Sequence, residues 1–220
     1  MLWKWRLPCV SSRFEHQDNL ADAISRYQPT ILDITPSAAS ILQDSTVRSL
    51  QTLIPGAEHL SSDKARHWAS SADLKITYDA CESTSIATVC TLCLEEANEI
   101  KIRRGDGMNT WITDTRHGTT LVPIGNIGEL VLEGPLIGTG YLDDAEKGAV
   151  TVINNPPWLI RGSGDSRHSD RTGKLVKTGD LVRHNNGGTL TFIARKTTEV
   201  KIHGHHVELG EVENHMVRLP

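Results

Sequence analysis

Apolar positions in the first eighty residues alternate between two spacings. Leu20, Ile24 and Tyr27 recur at helical intervals, with Asp18 or Asn19 placed to cap the first turn, and Pro29 stops the helix. Residues 30–34 form a short β-prone run, and Pro36-Ser37 then opens a helix carrying Ala38, Ala39, Ile41 and Leu42. A second buried strand is expected at 50–54, ended by Pro55-Gly56. Ser61 or Ser62 caps a helix bearing Ala65, Trp68 and Ala69, and 74–78 reads as a third strand. Strands separated by helices predict a parallel α/β sheet.

After residue 100 the spacing changes to short strands divided by turns, expected at 110–114, 128–133, 175–182 and 190–194, which predicts an antiparallel β-rich region. Residues 155–173 hold Pro156-Pro157 and a Gly, Ser, Asp and Arg cluster, and read as an exposed loop. Asn185, Asn186, Gly187 and Gly188 tolerate the positive φ angles of a two-residue hairpin turn. Val200 and Ile202, then Val207 and Leu209, alternate with polar residues around Gly204 as a further hairpin. Beyond Gly210, Glu211 and Glu213 suit a first helical turn, with Val212, Met216 and Leu219 at helical spacing. Residues 1–12 carry no periodic signal, and no internal repeat is evident.

Composition narrows the class without naming a function. A chain of 220 residues, 38% hydrophobic and 23% charged, is long enough for a buried core and ordinary for a globular protein. A net charge of −4 provides no broad basic surface, so neither nucleic acid nor anionic membrane is an expected partner. No apolar run approaches the roughly 18–20 residues that span a bilayer, and no signal-peptide core follows Met1, so a cytoplasmic location is the default. Cys9, Cys81, Cys90 and Cys93 are too few for a disulfide scaffold. Cys90 and Cys93 have C-x-x-C spacing but lie in an apolar run with no second pair, which favours a buried structural role.

Specific polar residues concentrate in four segments. Lys177-Thr178-Gly179-Asp180-Leu181 resembles the TGDL motif of adenylate-forming enzymes. Arg195-Lys196, Val200-Lys201-Ile202-His203-Gly204 and Val207-Glu208-Leu209-Gly210-Glu211-Val212-Glu213 together resemble their GRxDxQVKIRGxRIELGEIE motif. Gly128-Glu129-Leu130-Val131-Leu132-Glu133-Gly134-Pro135 with Gly140-Tyr141-Leu142 is similar to GELxIxGPxxxxGYL, and residues 77–83 resemble an altered AYGPAEC. The order and wording resemble part of an amino-acid adenylation domain of a fungal nonribosomal peptide synthetase, within the AMP-binding superfamily. The fold this implies is a truncated adenylate-forming α/β fold: the later part of a large parallel α/β core (1–99), a small distorted β-barrel (100–196), and the first hairpin of a C-terminal lid (197–220).

The chemistry implied is ATP- and Mg²⁺-dependent joining of an amino-acid carboxylate to the α-phosphate, followed by transfer to a phosphopantetheine thiol of a carrier protein in secondary metabolism. By resemblance Asp180 accepts hydrogen bonds from the ribose hydroxyls, Arg195 assists nucleotide binding beside the hinge, Tyr78 packs on adenine, and Glu82 helps hold Mg²⁺. Each has a plainer alternative: a turn-capping aspartate, a solvated arginine, a core tyrosine, and one carboxylate that alone is a weak metal signal. The amino-acid pocket corresponds to Asp33, Ile54, Gly56, Thr77, Ser85 and Ile86, where a buried Asp33 would need a cation or donors. Lys201 and Gly204 match the mobile lid loop. His203, His205, His206 and His215 suggest a metal site only weakly, since the family carries arginine or glutamine at the matching positions. Gly164-Asp165-Ser166 and His168 with Asp170 lack the nucleophile elbow of a hydrolase.

Departures from the family pattern bear on activity. The Ser/Thr/Gly-rich phosphate loop, the aspartate for the substrate ammonium and the C-terminal catalytic lysine have no counterpart in these residues, so no residue here is expected to be catalytic. Loss of one preorganised charge costs on the order of a hundredfold to a thousandfold in rate. Asp79 and Ala80 stand where the motif has Gly-Pro, Thr197 replaces the hinge aspartate and Ala194 the preceding glycine. The expectation is an adenylation-domain segment, inactive or weak alone, with ATP, an amino acid and carrier or condensation domains as the parent's partners. The rival is a non-catalytic remnant or nucleotide-binding module. An acyl-CoA synthetase is disfavoured by the wording of 207–213.

Overall fold

A computed structural model of the chain describes residues 20–58, 60–92, 94, 101–102, 105, 107–161, 172–196, 199–202 and 205–208. Its backbone forms two compact units, one of residues 1–75 with 91–98 and one of 76–90 with 99–220.

The first unit is the α/β part. Helix α1 (Leu20–Tyr27) buries Leu20 and Ile24, four residues apart on one face. β1 (Ile31–Ile34) follows, then α2 (Pro36–Ala39), where Pro36 occupies the start and the Thr35 hydroxyl accepts from the Ala38 amide. The helix expected there ends at Ala39, and a separate helix, α3 (Asp44–Ser49), leads to β2 (Thr52–Pro55). Helix α4 (Ser62–Ala69) is capped by the Ser61 hydroxyl accepting from Lys64, and buries Ala65 and Trp68. β1 pairs with β2 in parallel, and β2 with the start of β3 (Asp73–Ala80) in parallel, as the strand–helix alternation predicts. Val47, Leu53 and Leu74 are among its fully buried side chains.

The rest of β3 belongs to the second unit, which continues through a 3-10 turn (Cys81–Ser83) into β4 (Ser85–Thr91). Its sheet comprises β5 (Asn109–Thr113), β6 (Ile127–Glu133), β7 (Val152–Asn154), β8 (Lys174–His184) and β9 (Leu190–Arg195). The order is β5-β6-β8-β7, with β9 also on β8, and every described pairing is antiparallel. β6 is interior, so six of its seven residues are buried: Leu130 and Leu132 join a core with Ile112, Val176 and Val182, while Val131 joins Leu159 and Leu175. Helix α5 (Ala145–Thr151) is capped by Asp144 accepting from the Lys147 amide. β10 (Glu199–Ile202) and β11 (His205–Glu208) form the expected second hairpin.

Two local expectations need correction. The segment read as an exposed loop from 155 begins with helix α6 (Pro157–Arg161), in which Leu159 is buried and Trp158 stacks at a tilt on Trp111, 5.1 Å between centroids. Pro157 starts that helix rather than breaking it. The β8–β9 connection is not a two-residue turn: the Asn185 amide bonds the Thr189 carbonyl at 2.9 Å, and only Gly188 has positive φ, +77°. That is a three-residue loop ending in one left-handed residue. The expected cap at Asp18 or Asn19, Cys93 and the helix from Glu211 lie outside the described residues, as do Gly204, His203 and His215. Among the described residues no helix is long and apolar enough to cross a membrane.

Candidate functional site

The functional geometry of the second unit begins with an irregularity in β8. Between the pairs Glu129↔Leu181 and Val131↔Lys177, β6 advances two residues while β8 advances four. The three residues between, Thr178-Gly179-Asp180, stand opposite the single Leu130 and bulge from the ladder, and bulges of this kind re-aim a side chain. Gly179 sits at its centre with φ +73° and open space around it, so backbone conformation rather than room is what calls for glycine. The Thr178 hydroxyl donates to the Leu130 carbonyl at 2.9 Å and accepts from the Asp180 amide at 3.1 Å, pinning the bulge to the central strand.

This arrangement delivers Asp180 to a convergence of three strands. Its side chain is 7% exposed, and Arg195 at the end of β9 donates from Nη1 to Oδ1 at 3.1 Å. Tyr78 on β3 donates its hydroxyl to Oδ2 at 2.5 Å, across 102 residues of sequence. The ring of Tyr78 packs on the β6–β8 core. Burial first, and the neighbouring Asp180 carboxylate second, push the Tyr78 phenol well above its ordinary pKa.

Next to Arg195, Lys196 reaches a second buried carboxylate: its Nζ lies 2.9 Å from Oε2 of Glu129, a side chain 4% exposed. Its amide bonds the Gly179 carbonyl at 2.7 Å. The last residues of β9 are thus held to both β8 and β6 immediately before Thr197. Glu133, the other buried acid of β6, accepts from the Trp111 indole at 2.8 Å and the Asn109 amide at 3.2 Å.

Glu82 belongs to a neighbouring cluster. The 3-10 turn that carries it closes on Thr84, at φ 58°, and is stitched to the loop after β6 by Gly138 N–H to the Glu82 carbonyl, 2.8 Å, and the Thr84 hydroxyl to the Leu136 carbonyl, 2.8 Å. Tyr141 donates its hydroxyl to the Glu82 carboxylate, and Lys147 Nζ stands 4.3 Å from the Tyr141 ring centroid. Burial, then the bond to Glu82, push the Tyr141 phenol up to about 12.

The six pocket residues divide between the units. Asp33 and Ile54 are register partners on β1 and β2, and the Gly56 amide bonds the Ile34 carbonyl at 3.2 Å, so these three share the carboxyl end of the first unit's parallel strands. The second unit holds Thr77 on β3 with Ser85 and Ile86 on β4. Asp33 is not the buried carboxylate that was expected. β1 alternates exposed and half-buried positions, Asp33 takes an exposed one, and partial shielding raises its pKa without demanding a counter-cation.

A ribose suits what Asp180 offers, since a buried carboxylate held by a cation can accept from two hydroxyls. Among the described residues no group of three or more His, Cys, Asp or Glu side chains is placed to hold a metal ion. Glu82 offers a single carboxylate, and Mg²⁺ commonly takes most of its ligands from phosphate oxygens and water. Sequence reasoning missed Tyr141, Glu129 and Lys196, although all three lie within the quoted motifs. Their signal was a hydroxyl or charge repeatedly placed beside a glycine turn or an apolar strand.

No family model matches the chain. It is 40% identical over 211 residues to the nonribosomal peptide synthetase ungA of Aspergillus violaceofuscus, covering 94% of this chain and 2% of that protein. It is 43% identical over 206 residues to the nonribosomal peptide synthetase dtxS1 of Metarhizium robertsii, covering 93% and 3%. It is 39% identical over 208 residues to D-lysergyl-peptide-synthetase subunit 2 of Epichloe festucae var. lolii, covering 94% and 15%. The chain thus spans a small part of these relatives' length. Among solved structures it superposes on holo-PA1221, an NRPS protein containing adenylation and PCP domains, with TM-score 0.77 and 23% identity over 93% of this chain and 35% of that one. IdnL1 gives TM-score 0.75 and 20% identity over 92% and 42%. At such identities these structures speak to the fold.

Proposed function

We propose, from the premise that this chain is homologous to a segment of the fungal nonribosomal peptide synthetases and carries part of the adenylation-domain fold, that its second unit is a nucleotide-recognition site centred on Asp180. The observation that carries this is the β8 bulge: a left-handed glycine turn holds one carboxylate, nearly closed to solvent, where β3 and β9 bring a phenol and a guanidinium. A strand ending that merely capped a turn would not need a cation and a hydroxyl drawn from two other strands.

In this reading Asp180 accepts the ribose hydroxyls, and Arg195 keeps that carboxylate ionised and oriented. Tyr78 offers its ring to the base. Glu82, held by Tyr141, faces the Mg²⁺–phosphate end. When bound, ATP supplies the α-phosphate to which an amino-acid carboxylate is joined. Asp33, Ile54, Gly56, Thr77, Ser85 and Ile86 correspond to side-chain selection. The parent activity is formation of an aminoacyl adenylate for nonribosomal peptide synthesis, with a carrier-protein phosphopantetheine thiol as acceptor and a cytoplasmic setting. The carrier is supported by the adenylation–PCP pairing named for holo-PA1221. The isolated chain binds nucleotide but turns over weakly or not at all. The hinge positions carry Ala194 and Thr197 where the resembled motif has glycine and aspartate.

A second reading, a binding module without ligase activity, keeps the same nucleotide contacts and is favoured by the altered hinge, where Ala194 and Thr197 stand in place of the glycine and aspartate of the resembled motif. ATP–pyrophosphate exchange across a panel of amino acids, with Asp180→Ala as control, separates the two. Exchange above background that the substitution abolishes supports a working adenylation segment. Silence with measurable ATP binding supports the module, and silence without binding contradicts both.

A further inference from the structure

We propose that the Tyr78 hydroxyl is a latch on the nucleotide site: in the unliganded chain it holds the Asp180 oxygen that a vicinal diol would take, so ribose binding and release of that hydroxyl are one event. The inference rests on the nucleotide reading above and adds a gate to it.

Three observations carry it. The hydroxyl donates to Oδ2 at 2.5 Å while Arg195 donates to Oδ1 at 3.1 Å, so the two oxygens have separate donors from separate strands. A carboxylate has about four lone-pair sites, but the Asp180 side chain is only 7% exposed, which leaves little open approach to the unused ones. A diol must therefore arrive along the direction one donor now fills. The two donors are not equally movable. Arg195 lies at the end of β9, whose next residue is tied to Glu129 and to the Gly179 carbonyl. Tyr78 is anchored through its ring, which packs on the β6–β8 core, while its hydroxyl makes the contact at the far end. A small swing of the Tyr78 side chain about its Cα–Cβ bond moves the hydroxyl off Oδ2 and leaves the cation in place.

The consequence is a binding penalty specific to the sugar. A site that is open for a fraction f of the time binds with an apparent affinity reduced by that fraction. Removing the hydroxyl while keeping the ring removes the penalty. A net gain of about tenfold is the scale of one exchanged hydrogen bond.

The test is calorimetric titration of the chain and its Tyr78→Phe variant with ATP and with 2′,3′-dideoxy-ATP. The latch predicts that Tyr78→Phe tightens ATP several-fold to tenfold and leaves the dideoxy nucleotide unchanged. ATP affinity that is unchanged or weakened by the substitution overturns the latch and leaves the nucleotide reading standing. Absence of binding by either nucleotide to either protein overturns that reading and the latch with it. A second measurement needs no variant: in the wild-type chain labelled with ζ-¹³C tyrosine, ATP must move the Tyr78 resonance beyond the shift that base stacking alone gives with the dideoxy nucleotide, and equal shifts with the two nucleotides contradict the proposal. An ATP complex in which that resonance stays put contradicts the proposal.

Discussion

At the residue scale, single carboxylates organise this molecule, each by a different means. Asp180 is held by a phenol and a guanidinium, Glu129 by an ammonium group, Glu133 by an indole and an amide. Asp114 instead collects backbone donors. Its oxygens accept from the amides of Arg116, His117, Thr119 and Thr120 at 2.8–3.2 Å and from the Thr120 hydroxyl at 3.1 Å, closing the loop after β5. The His117 amide leads in holding this carboxyl far below the ordinary carboxylate range. A depressed folded pKa contributes stability that is complete above the unfolded value, 3.8, and is lost as pH falls from there toward the folded value. Thermal melts of the wild-type chain should therefore lose stability below about pH 4, and Asp114→Ala should remove much of that acid-side slope while lowering stability at neutral pH. A variant with the same slope as wild type would contradict the assignment.

At the element scale, the bulge in β8 and helix α6 differ in how legible they were. Thr178-Gly179-Asp180 was read as a motif inside a plain strand, and the bulge emerged only with the pairing to β6, because no local pattern counts residues on the opposite strand. Gly179→Ala places a side chain at φ +73°, where an L-residue costs about 1–2 kcal/mol although nothing stands within 4 Å. We expect that loss in chemical denaturation, with a weaker nucleotide affinity as the bulge relaxes. A loss well beyond it would mean a steric rather than a conformational origin. Helix α6 was obscured by its brevity and by Pro156-Pro157, since five residues cannot display a helical period. Leu159 buries itself beneath β6 and β8, so Leu159→Ala should cost about 2–5 kcal/mol by the same denaturation measurement. A change under about 0.5 kcal/mol, typical of surface positions, would show that α6 adds nothing to the core. Strands β5, β6 and β9 were located to within a residue or two, because short runs of apolar and β-branched residues bounded by turn residues mark a strand even without strict alternation.

At the scale of the whole molecule, the sequence disclosed the α/β-then-β order, because parallel and antiparallel sheets leave different hydropathy patterns. It did not disclose which polar groups meet. Tyr78 and Asp180 are 102 positions apart, and Glu129 and Lys196 are 67 apart. Spacing along a chain carries no information about such contacts; resemblance to adenylation domains supplied the roles, and the fold supplied the partners. The central claim is that Asp180 is a sugar-binding carboxylate and not only a structural one. Its most direct test is calorimetric titration of the purified chain with ATP, in wild type and Asp180→Ala, with circular dichroism to establish that both are folded. The account predicts saturable binding to the wild-type chain and a loss of tenfold or more in the folded variant, about 1.4 kcal/mol or more. Equal affinity in the two folded proteins would contradict it.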